Sequence, residues 1–429
     1  MFSSAVKAAK KGWITRSGGQ ETPTSFLPAT FRTRSGLKIS CTKLKRCSNT
    51  PVSMTRTRRP SSAATQDAFT RFRKGNKSAK GACMETRNFR FGTSLILCAW
   101  FSLYLTAPVM GAKIDCSPVT NTSNDLPRTA TIGTNPAGTG AHSLGSGLAV
   151  VGSNATPISV RVQPFNGPNA WMPLLQGGEI EFGIMNILDA QMAQTGTGNY
   201  KKPNPGVRVA SGGVFPFTVG WIARDKSDIK EPRDLKGKRM AWDYGGHAIT
   251  QTLQLIFLEA GGVKPTDLIQ VRVSNINDGA RGVAEGKIDV AETGIGIGLV
   301  EEVNAAEPVR FLSLPNTDTA KAILAKSGVT LVKSDPATGI KGDTYVIGYP
   351  LHLVSSTRVS ERAVYTLVKS WWENLSELQT KHPLFKRWTK EMQALTNFTI
   401  PYHPGAIKFY KEMGVWTSVH EARLKEICQ

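Results

Sequence analysis

Two parts of the chain repeat one order of patterns: an apolar strand, a glycine-containing loop, an apolar helix and two further strands. The first part starts at ATIGTNPAGTG and continues through ISVRVQ (158–163) and GGEIEFGIMN (177–186). The second part starts at RMAWDYGGH and continues through IQVRVS (269–274) and EGKIDVAETG (285–294). Strands that alternate with helices are typical of α/β layers with parallel sheets. The repeat therefore predicts two βαβ lobes built on one plan, whether or not they arose by duplication.

Each predicted strand of these two units ends in a loop that opens a helix. In open α/β sheets, ligands bind in the crevice outside the carboxyl ends of the strands. Four such ends stand out in the sequence, at Asn135–Gly140, Met185–Leu188, Asp243–His247 and Thr293–Gly296. If the two lobes face one another, we expect all four loops to line one cleft that largely buries a small molecule.

The first of these loops carries no charged side chain. From Thr131 to Val151 the chain reads TIGTNPAGTGAHSLGSGLAVV, without Asp, Glu, Lys or Arg. The first N–H groups of a helix lack partners within the helix, and the helix dipole favours negative charge there. Gly138, Thr139 and Gly140 would present such groups, which predicts a carboxylate ligand held by neutral donors. The alternative is a plain glycine-rich turn in which Thr139 caps the helix.

Familiar phosphate-binding and catalytic motifs do not occur in the sequence. GTGAHS has Ser143 where a dinucleotide fingerprint has its third glycine, and there is no GxxxxGK[ST] run. The histidines form no HExxH pattern, and there is no GxSxG elbow. Asp243 and Glu292 follow corresponding strands and would suit acid–base chemistry or an ammonium ligand. We rank a helix cap at Asp243 and a surface position for Glu292 ahead of both.

Aromatic residues cluster in two places. Trp242, Tyr244 and His247 surround the second glycine-containing loop, where rings with a polar edge suit an organic ligand. Alternation along a strand puts Trp242 and Tyr244 on one face, so one of them is a candidate for core packing. Trp371 and Trp372 lie in an amphipathic helical pattern, for which we expect core packing.

The net charge of +21 belongs to the N-terminal part of the chain. Residues 1–83 carry 18 basic and 2 acidic side chains, whereas residues 113–429 carry 33 and 29. A nearly balanced body argues against a nucleic-acid partner. The basic segment has too few apolar side chains to form a core, so we expect it to be disordered. It is either a transit peptide or a stretch ahead of a natural start at Met84, which is the interpretation we favour.

Met84 begins a segment with the order of a secretory signal peptide. Arg87 and Arg90 precede an apolar run at Phe91–Leu105, and small residues follow it. We therefore expect residues 84–112 to be a signal peptide and the mature chain to be exported to the periplasm. The competing interpretation, an uncleaved membrane anchor, is disfavoured because the run is short for a span.

Cysteine usage leaves one question open. Of the six cysteines, only Cys116 and Cys428 would remain after cleavage of the signal peptide. In an exported chain they either form one disulfide that ties the two ends together or stay as two free thiols. No Cys/His spacing indicates zinc, and we expect no cofactor.

Five segments between about Thr129 and Trp416 together carry a family likeness: TIGTNPAGTGAHSLGSGLA, LLQGGEIEFGIMNILDA, DLKGKRMAW, VAEGKIDVAETGIG and YHPGAIKFYKEMG. With them the body resembles the TAXI-type substrate-binding proteins of TRAP (tripartite ATP-independent periplasmic) transporters. The resemblance implies a type II periplasmic-binding fold, in which two α/β lobes joined by hinge strands close over a solute. It also implies delivery of that solute to a membrane permease, and ligands such as glutamate and other small organic acids.

The resemblance places the candidate ligand-binding residues on the four loops, at the following positions: Gly138, Thr139, Gly140, His142, Asn186, Ile187, Asp243, Tyr244, Gly245, Gly246, His247, Thr293 and Gly294. Two loops depart from the family pattern. An aromatic pair usual after the first loop is replaced here by Ala141 and His142, and a second loop that usually reads GSGT is here YGGHAIT. Both changes lie where the ligand should bind, which favours a carboxylate other than glutamate, bulkier or aromatic.

The predicted fold is α/β and bilobal, with hinge segments near Ala210–Thr218 and Lys341–Pro350. The predicted divisions are a disordered segment, a signal peptide, a linker, the first part of lobe 1, lobe 2, and the return to lobe 1 with the C-terminal helices: 1–83, 84–112, 113–128, 129–213, 214–345 and 346–429.

The predicted function is that of a monomeric periplasmic receptor and not of an enzyme. It would bind a small organic acid or amino acid between its lobes and deliver it to the permease subunits of a TRAP-type transporter. One alternative is a cleft enzyme that uses Asp243, His247 or Glu292. The other is a sensory or adhesive module that binds a solute without a transporter.

Overall fold

The computed structural model describes residues 113–429, so the predictions for residues 1–112, the disordered segment and the signal peptide among them, lie outside the described residues. Residues 113–429 form ten strands: β1 (Thr129–Thr134), β2 (Ser159–Pro164), β3 (Phe182–Asn186), β4 (Val207–Arg224), β5 (Arg239–Trp242), β6 (Ile269–Arg272), β7 (Val290–Gly294), β8 (Val309–Phe311), β9 (Thr330–Lys333) and β10 (Tyr345–Ser356).

The same residues form twelve α-helices: α1 (Gly140–Ala155), α2 (Pro168–Gly177), α3 (Ile187–Thr195), α4 (Ile249–Ala260), α5 (Ile276–Ala284), α6 (Gly298–Ala306), α7 (Asp318–Lys326), α8 (Glu361–Glu373), α9 (Leu375–Lys381), α10 (Lys390–Gln393), α11 (Pro404–Glu412) and α12 (Ser418–Ile427). Short 3-10 turns lie at Pro232–Leu235, Pro265–Asp267 and Pro383–Arg387. Among these helices, none combines the length and the apolar character that a membrane span requires.

The described strands form a mixed sheet in the order β2-β1-β3-β10-β4-β7-β5-β6, with β8 paired to β4 and β9 paired to β10. On one side β1 lies between β2 and β3 and is parallel to both. On the other side β5 lies between β6 and β7, again parallel to both. The two groups have the same order of connections, so the α/β class and the repeated plan are confirmed. We call β1–β3 with α1–α3 the first lobe, and β5–β7 with α4–α7 the second lobe.

Two long antiparallel strands, β4 and β10, connect the lobes. Strand β10 pairs with β3 of the first lobe through Leu351–Val354, and β4 pairs with β7 of the second lobe through Val219–Ala223. Their mutual register shifts between Tyr349 and Leu351, and again on the way to Val354. These irregularities lie in or beside the two segments that the sequence suggested as hinges.

Helix α1 shows why the first glycine-rich stretch folds as a strand, a loop and a helix. Leu144, Leu148 and Val151 recur at helical spacing and are all buried. The C-terminal helix α8 packs on α1, and the indole Nε1–H of Trp371 donates to the carbonyl of Leu148 at 2.9 Å. Trp371 and Trp372 are 1% and 6% exposed, so their predicted core packing is confirmed.

The segment that precedes β1 is tied to the end of the chain. Cys116 and Cys428 form a disulfide with their Cα atoms 5.7 Å apart, which decides between the two alternatives that the sequence left open. The buried guanidinium of Arg208 holds the same segment, because Nη2 donates to the carbonyl of Ser117 at 2.6 Å. Gln194 of α3 adds a bond from Nε2 to the carbonyl of Asp115 at 3.1 Å, so the segment before β1 and the C-terminal end of the chain are held together at the first lobe.

Candidate ligand-binding cleft

A cavity lies where strand ends of the two lobes meet. Its volume is about 30 Å³. The lining residues come from both lobes and from β4 and β10: Asn135, Thr139, Gly140, Ala141, Pro168, Ile184, Met185, Asn186, Phe217, Val219, His247, Ile276, Glu292, Gly294, Ile297, Tyr349 and Leu351. Each of the four loops that the sequence singled out contributes to this list.

Hydrogen bonds between the lobes close the cavity at the first glycine-rich loop. The N–H of Leu299, at the start of α6, donates to the carbonyl of Gly138 at 3.1 Å. The side-chain amide of Asn277 in α5 donates from Nδ2 to the carbonyl of Ala137 at 2.9 Å. The loop therefore uses its carbonyls to bind the second lobe.

A second set of contacts joins the start of α2 to the loop before α4. The N–H of Asn169 donates to the carbonyl of Gly246 at 3.1 Å, and the N–H of Ala248 donates to Oδ1 of Asn169 at 3.1 Å. Gly167 makes this approach possible, because a methyl group there would lie 2.5 Å from the carbonyl oxygen of Gly246 and 2.5 Å from Cβ of His247. In the closed arrangement, the backbones of the two lobes are therefore in direct contact across the cleft.

The start of α1 combines a cap with free donors. Oγ1 of Thr139 accepts from the N–H of His142 at 3.4 Å and donates to the carbonyl of Pro136 at 2.7 Å, so Thr139 is the N-cap. The N–H groups of Gly140 and Ala141, the first two helical positions, have no partner within the helix. Both residues line the cavity. The two interpretations of this loop, a capped turn and a set of anion-binding donors, are thus compatible.

Glu292 lines the cavity from β7, and the expectation of a surface position is wrong. It is 2% exposed, and its Oε2 has no hydrogen-bond partner among residues 113–429. Strand β7 is paired along both edges, with β4 and β5, and α5 packs on it, so all five of its residues are buried. Gly294, two positions on, lines the cavity with it, whereas Thr293 points to the opposite face. Burial raises the pKa of the Glu292 carboxyl to about 8.

Asp243 lies apart from this carboxyl, and its expected role as a helix cap is wrong. Helix α4 begins at Ile249 and its N-cap is Ala248, so Asp243 lies too far before the helix to cap it. Its backbone has φ of +50°, and its half-exposed carboxylate forms an ion pair with Nε of Arg272 at 3.0 Å. Because Asp243 does not line the cavity, the structure does not bring together an acid–base pair with Glu292.

A neutral histidine bridges the two lobes inside the cleft. Nε2 of His247 lies 3.4 Å from Nδ2 of Asn135, and Nδ1 lies 2.8 Å from Oγ1 of Thr250. The amide must donate to Nε2, which assigns the proton to Nδ1 and directs it to Thr250. Burial lowers the pKa of His247 to about 4, so the ring is uncharged at neutral pH. Oδ1 of Asn135 has no partner among the described residues.

The site residues predicted from the sequence fall into three groups: those that line the cavity, those that support its wall, and those that do neither. Five of them line it: Thr139, Gly140, Asn186, His247 and Gly294. Others support its wall without lining it: Gly138 and Gly246 carry contacts between the lobes, the Tyr244 hydroxyl accepts from the N–H of Glu292 at 2.9 Å, and Ile187 and Thr293 adjoin lining residues. His142 turns toward Oγ1 of Thr134 at 3.3 Å, and Gly245 and Asp243 do not line the cavity.

The lining residues from β4 and β10 were not singled out from the sequence. Phe217, Val219, Tyr349 and Leu351 reach the cavity because the crossing strands form its floor. Asn186 lines it as the N-cap of α3, with Oδ1 accepting from the N–H of Asp189 at 2.8 Å. Among residues 113–429, no group of three or more His, Cys, Asp or Glu side chains is placed to hold a metal ion.

Comparison with known proteins places the chain in a family. The model of the NMT1-like family matches residues 132–414, about two thirds of the chain. The chain is similar to the alkanesulfonate-binding protein SsuA from Xanthomonas axonopodis pv. citri bound to MOPS, with 18% identity over 70% of this chain and 84% of that chain and a TM-score of 0.38. It is similar to an ancestral arginine-binding protein bound to arginine, with 16% identity over 62% and 99% and a TM-score of 0.38. A structure described as a periplasmic transporter matches with 13% identity over 70% and 96% and a TM-score of 0.43. Because the family model spans β1 through α11, the chain belongs to the NMT1-like family.

Proposed function

We propose that the chain is a periplasmic receptor that binds a small organic acid or amino acid between its lobes and delivers it to a TRAP-type permease. The observation that carries the proposal is the cavity formed by four strand ends of two lobes that the long strands β4 and β10 connect. Such an arrangement suits a solute that is enclosed when the lobes approach and released when they part.

The chemistry of the cavity supports binding over catalysis. Among the described lining residues, Glu292 is the only one with a carboxyl group, and His247 is the only one with an imidazole. His247 holds both ring nitrogens in hydrogen bonds and stays uncharged. A general base needs a free acceptor and a pKa near the working pH, which this imidazole lacks.

Two features support export and delivery. The disulfide between Cys116 and Cys428 fits an oxidising compartment such as the periplasm. The resemblance to TAXI-type proteins supports a TRAP permease as the partner. Mass spectrometry of the native protein tests export, which predicts a mature N-terminus near residue 112.

Thermal-shift measurements test the receptor function directly. The purified protein is screened against amino acids and small carboxylates, and binding to the folded state raises the melting temperature. A matched Gly140→Val variant should lose the shift, because even a methyl group there would lie 2.5 Å from Cε2 of Phe217 and intrude on the cavity. If a well-folded wild-type protein is stabilised by none of these solutes, the proposal fails.

A further inference from the structure

We infer that the cleft takes a zwitterionic α-amino acid with an apolar side chain, whose ammonium group binds Glu292 and whose carboxylate binds the first N–H groups of α1. This inference rests on the proposed receptor function and narrows its ligand class. It separates amino acids from the plain organic acids that the charge-free first loop would accept equally well.

Two unpaired oxygens in the cavity can accept hydrogen bonds from a ligand once Glu292 is ionised. Oε2 of Glu292 and Oδ1 of Asn135 have no partner among residues 113–429, and these side chains are only 2% and 8% exposed. A buried acceptor without a partner costs about 1–3 kcal/mol. An ammonium group supplies three N–H donors and a positive charge, whereas a simple carboxylate supplies neither.

The opposite end of such a ligand has a place nearby. The N–H groups of Gly140 and Ala141 stand at the start of a 16-residue helix and line the same cavity. The Phe217 ring packs between this helix start and β7, since a methyl group would lie 2.5 Å from it at Gly140 and 3.2 Å from it at Gly294. The anion donors of α1 and the strand that carries Glu292 therefore lie against the same phenyl ring, within one cavity.

The rest of the lining indicates the side chain. It is dominated by apolar residues, including Ile184, Val219, Ile276, Ile297 and Leu351. No Lys or Arg lies among the described lining residues, so an acidic ligand side chain would find no counter-charge. Burial of an unpaired charge is strongly unfavourable, which excludes glutamate-like ligands and favours aliphatic or aromatic ones.

Proton linkage gives the inference a distinctive readout. Because the pKa of the free Glu292 carboxyl is about 8, an ammonium ligand must displace its proton, and binding should strengthen as the pH rises toward 8. The Tyr244 hydroxyl contacts the N–H of Glu292, and Tyr349 and His247 line the cavity with it. Burial raises the pKa of both tyrosines, with further contributions from Glu292 and, at Tyr349, from Asp189. Burial lowers the pKa of His247 to about 4, so none of these three groups titrates in this range.

A buried acid outside the cavity provides a matched control. Burial raises the pKa of Asp189 in α3 to about 7, yet Asp189 does not line the cavity.

A carboxylate ligand without an amino group should show the reverse pH dependence, since it prefers Glu292 protonated. The direction of the pH dependence therefore reports which chemical group faces Glu292.

Isothermal titration calorimetry on the purified protein tests the inference with paired probes. Alanine, valine, leucine and phenylalanine are each compared with the acid that lacks the amino group: propionate, isovalerate, isocaproate and hydrocinnamate. The best amino acid should bind about 100-fold more tightly than its partner acid. Its affinity should rise about tenfold per pH unit below about pH 8. Glu292→Gln should weaken it about 100-fold and remove the pH dependence, whereas Asp189→Asn should preserve both.

The contrary outcomes separate the two proposals. If the acids bind as tightly as the amino acids, and Glu292→Gln leaves the affinities unchanged, this inference is overturned and the receptor function stands. Amino acids that bind equally well to wild type and Glu292→Gln would also overturn it, because Glu292 would not then hold the ammonium group. A folded protein that binds neither class of solute, in this panel or in the wider screen, would remove the receptor function itself.

Discussion

Substitution of Gly167 by alanine tests whether the closed arrangement is the form that holds the ligand. A methyl group at this position would lie 2.5 Å from the carbonyl oxygen of Gly246 and 2.6 Å from Cα of His247, both in the second lobe. The backbone of Gly167 has φ of 161°, an extended conformation that alanine adopts freely. The substitution therefore opposes closure without straining the interior of either lobe.

The size of the effect follows from the two hydrogen bonds at this contact. Ordinary contact between such atoms begins near 3.4 Å, so the lobes must part here by about 1 Å. That movement stretches the bonds from Asn169 to Gly246 and from Ala248 to Asn169, both 3.1 Å, beyond hydrogen-bonding range. Each bond contributes about 0.5–1.5 kcal/mol. Loss of both should weaken ligand binding by about 5- to 150-fold.

Titration calorimetry measures this loss, and small-angle X-ray scattering of the ligand-bound protein should show a larger radius of gyration than wild type. Gly177→Ala is the matched control, because it makes the same change at the other end of α2, where a methyl group meets only Oε1 of Glu179 at 3.5 Å. If Gly167→Ala binds ligand as tightly as wild type and scatters identically, the contacts across the cleft do not belong to the ligand-holding form.

Substitutions at three further places in the structure address stability. Because burial raises the pKa of Glu292 from 4.5 to about 8, the folded state gains stability from its proton below about pH 4.5 and loses it as the pH rises through 8. Glu292→Gln should thus stabilise the ligand-free protein by about 2–5 kcal/mol above pH 8 and leave it unchanged near pH 4 in chemical denaturation; an equal effect at both pH values would contradict this. Replacing Cys116 and Cys428 by serine should lower the free energy of unfolding by about 2–5 kcal/mol, and reduction of the wild type should match it. Thr139→Ala removes the N-cap of α1 and should lower the free energy of unfolding by about 1 kcal/mol, whereas Thr139→Ser should retain most of the wild-type value.

Local patterns in the sequence predict the parts of the fold that local chemistry determines. The strand, the loop and the capped helix around Thr139 follow from glycine, a hydroxyl at the N-cap and apolar residues at helical spacing. The two lobes follow because the same pattern occurs twice, and the strand ends follow from the rule for parallel sheets. Their meeting in a single cavity required only that the lobes face each other.

The parts that the sequence did not yield depend on pairing between distant segments. Phe217 and Tyr349 reach the cavity because β4 and β10 pair across more than a hundred residues, which no local pattern records. Whether Glu292 is buried depends on the distant elements that pack on β7 and close the cavity over it. One signal was present, since Glu292 interrupts the apolar run of a strand in a parallel group, where both faces are normally covered.

The anchoring of the C-terminal end of the chain at the first lobe has a practical consequence. Cys116 and Cys428 are joined, and Arg208 and Gln194 hold the segment between them and β1. The second lobe is inserted in the chain between β4 and β10, away from the C-terminus. A surface linker attached through the C-terminus would immobilise only the stationary half, so a biosensor made this way should keep its full range of opening, and a fluorophore on the second lobe would report that motion against a fixed reference.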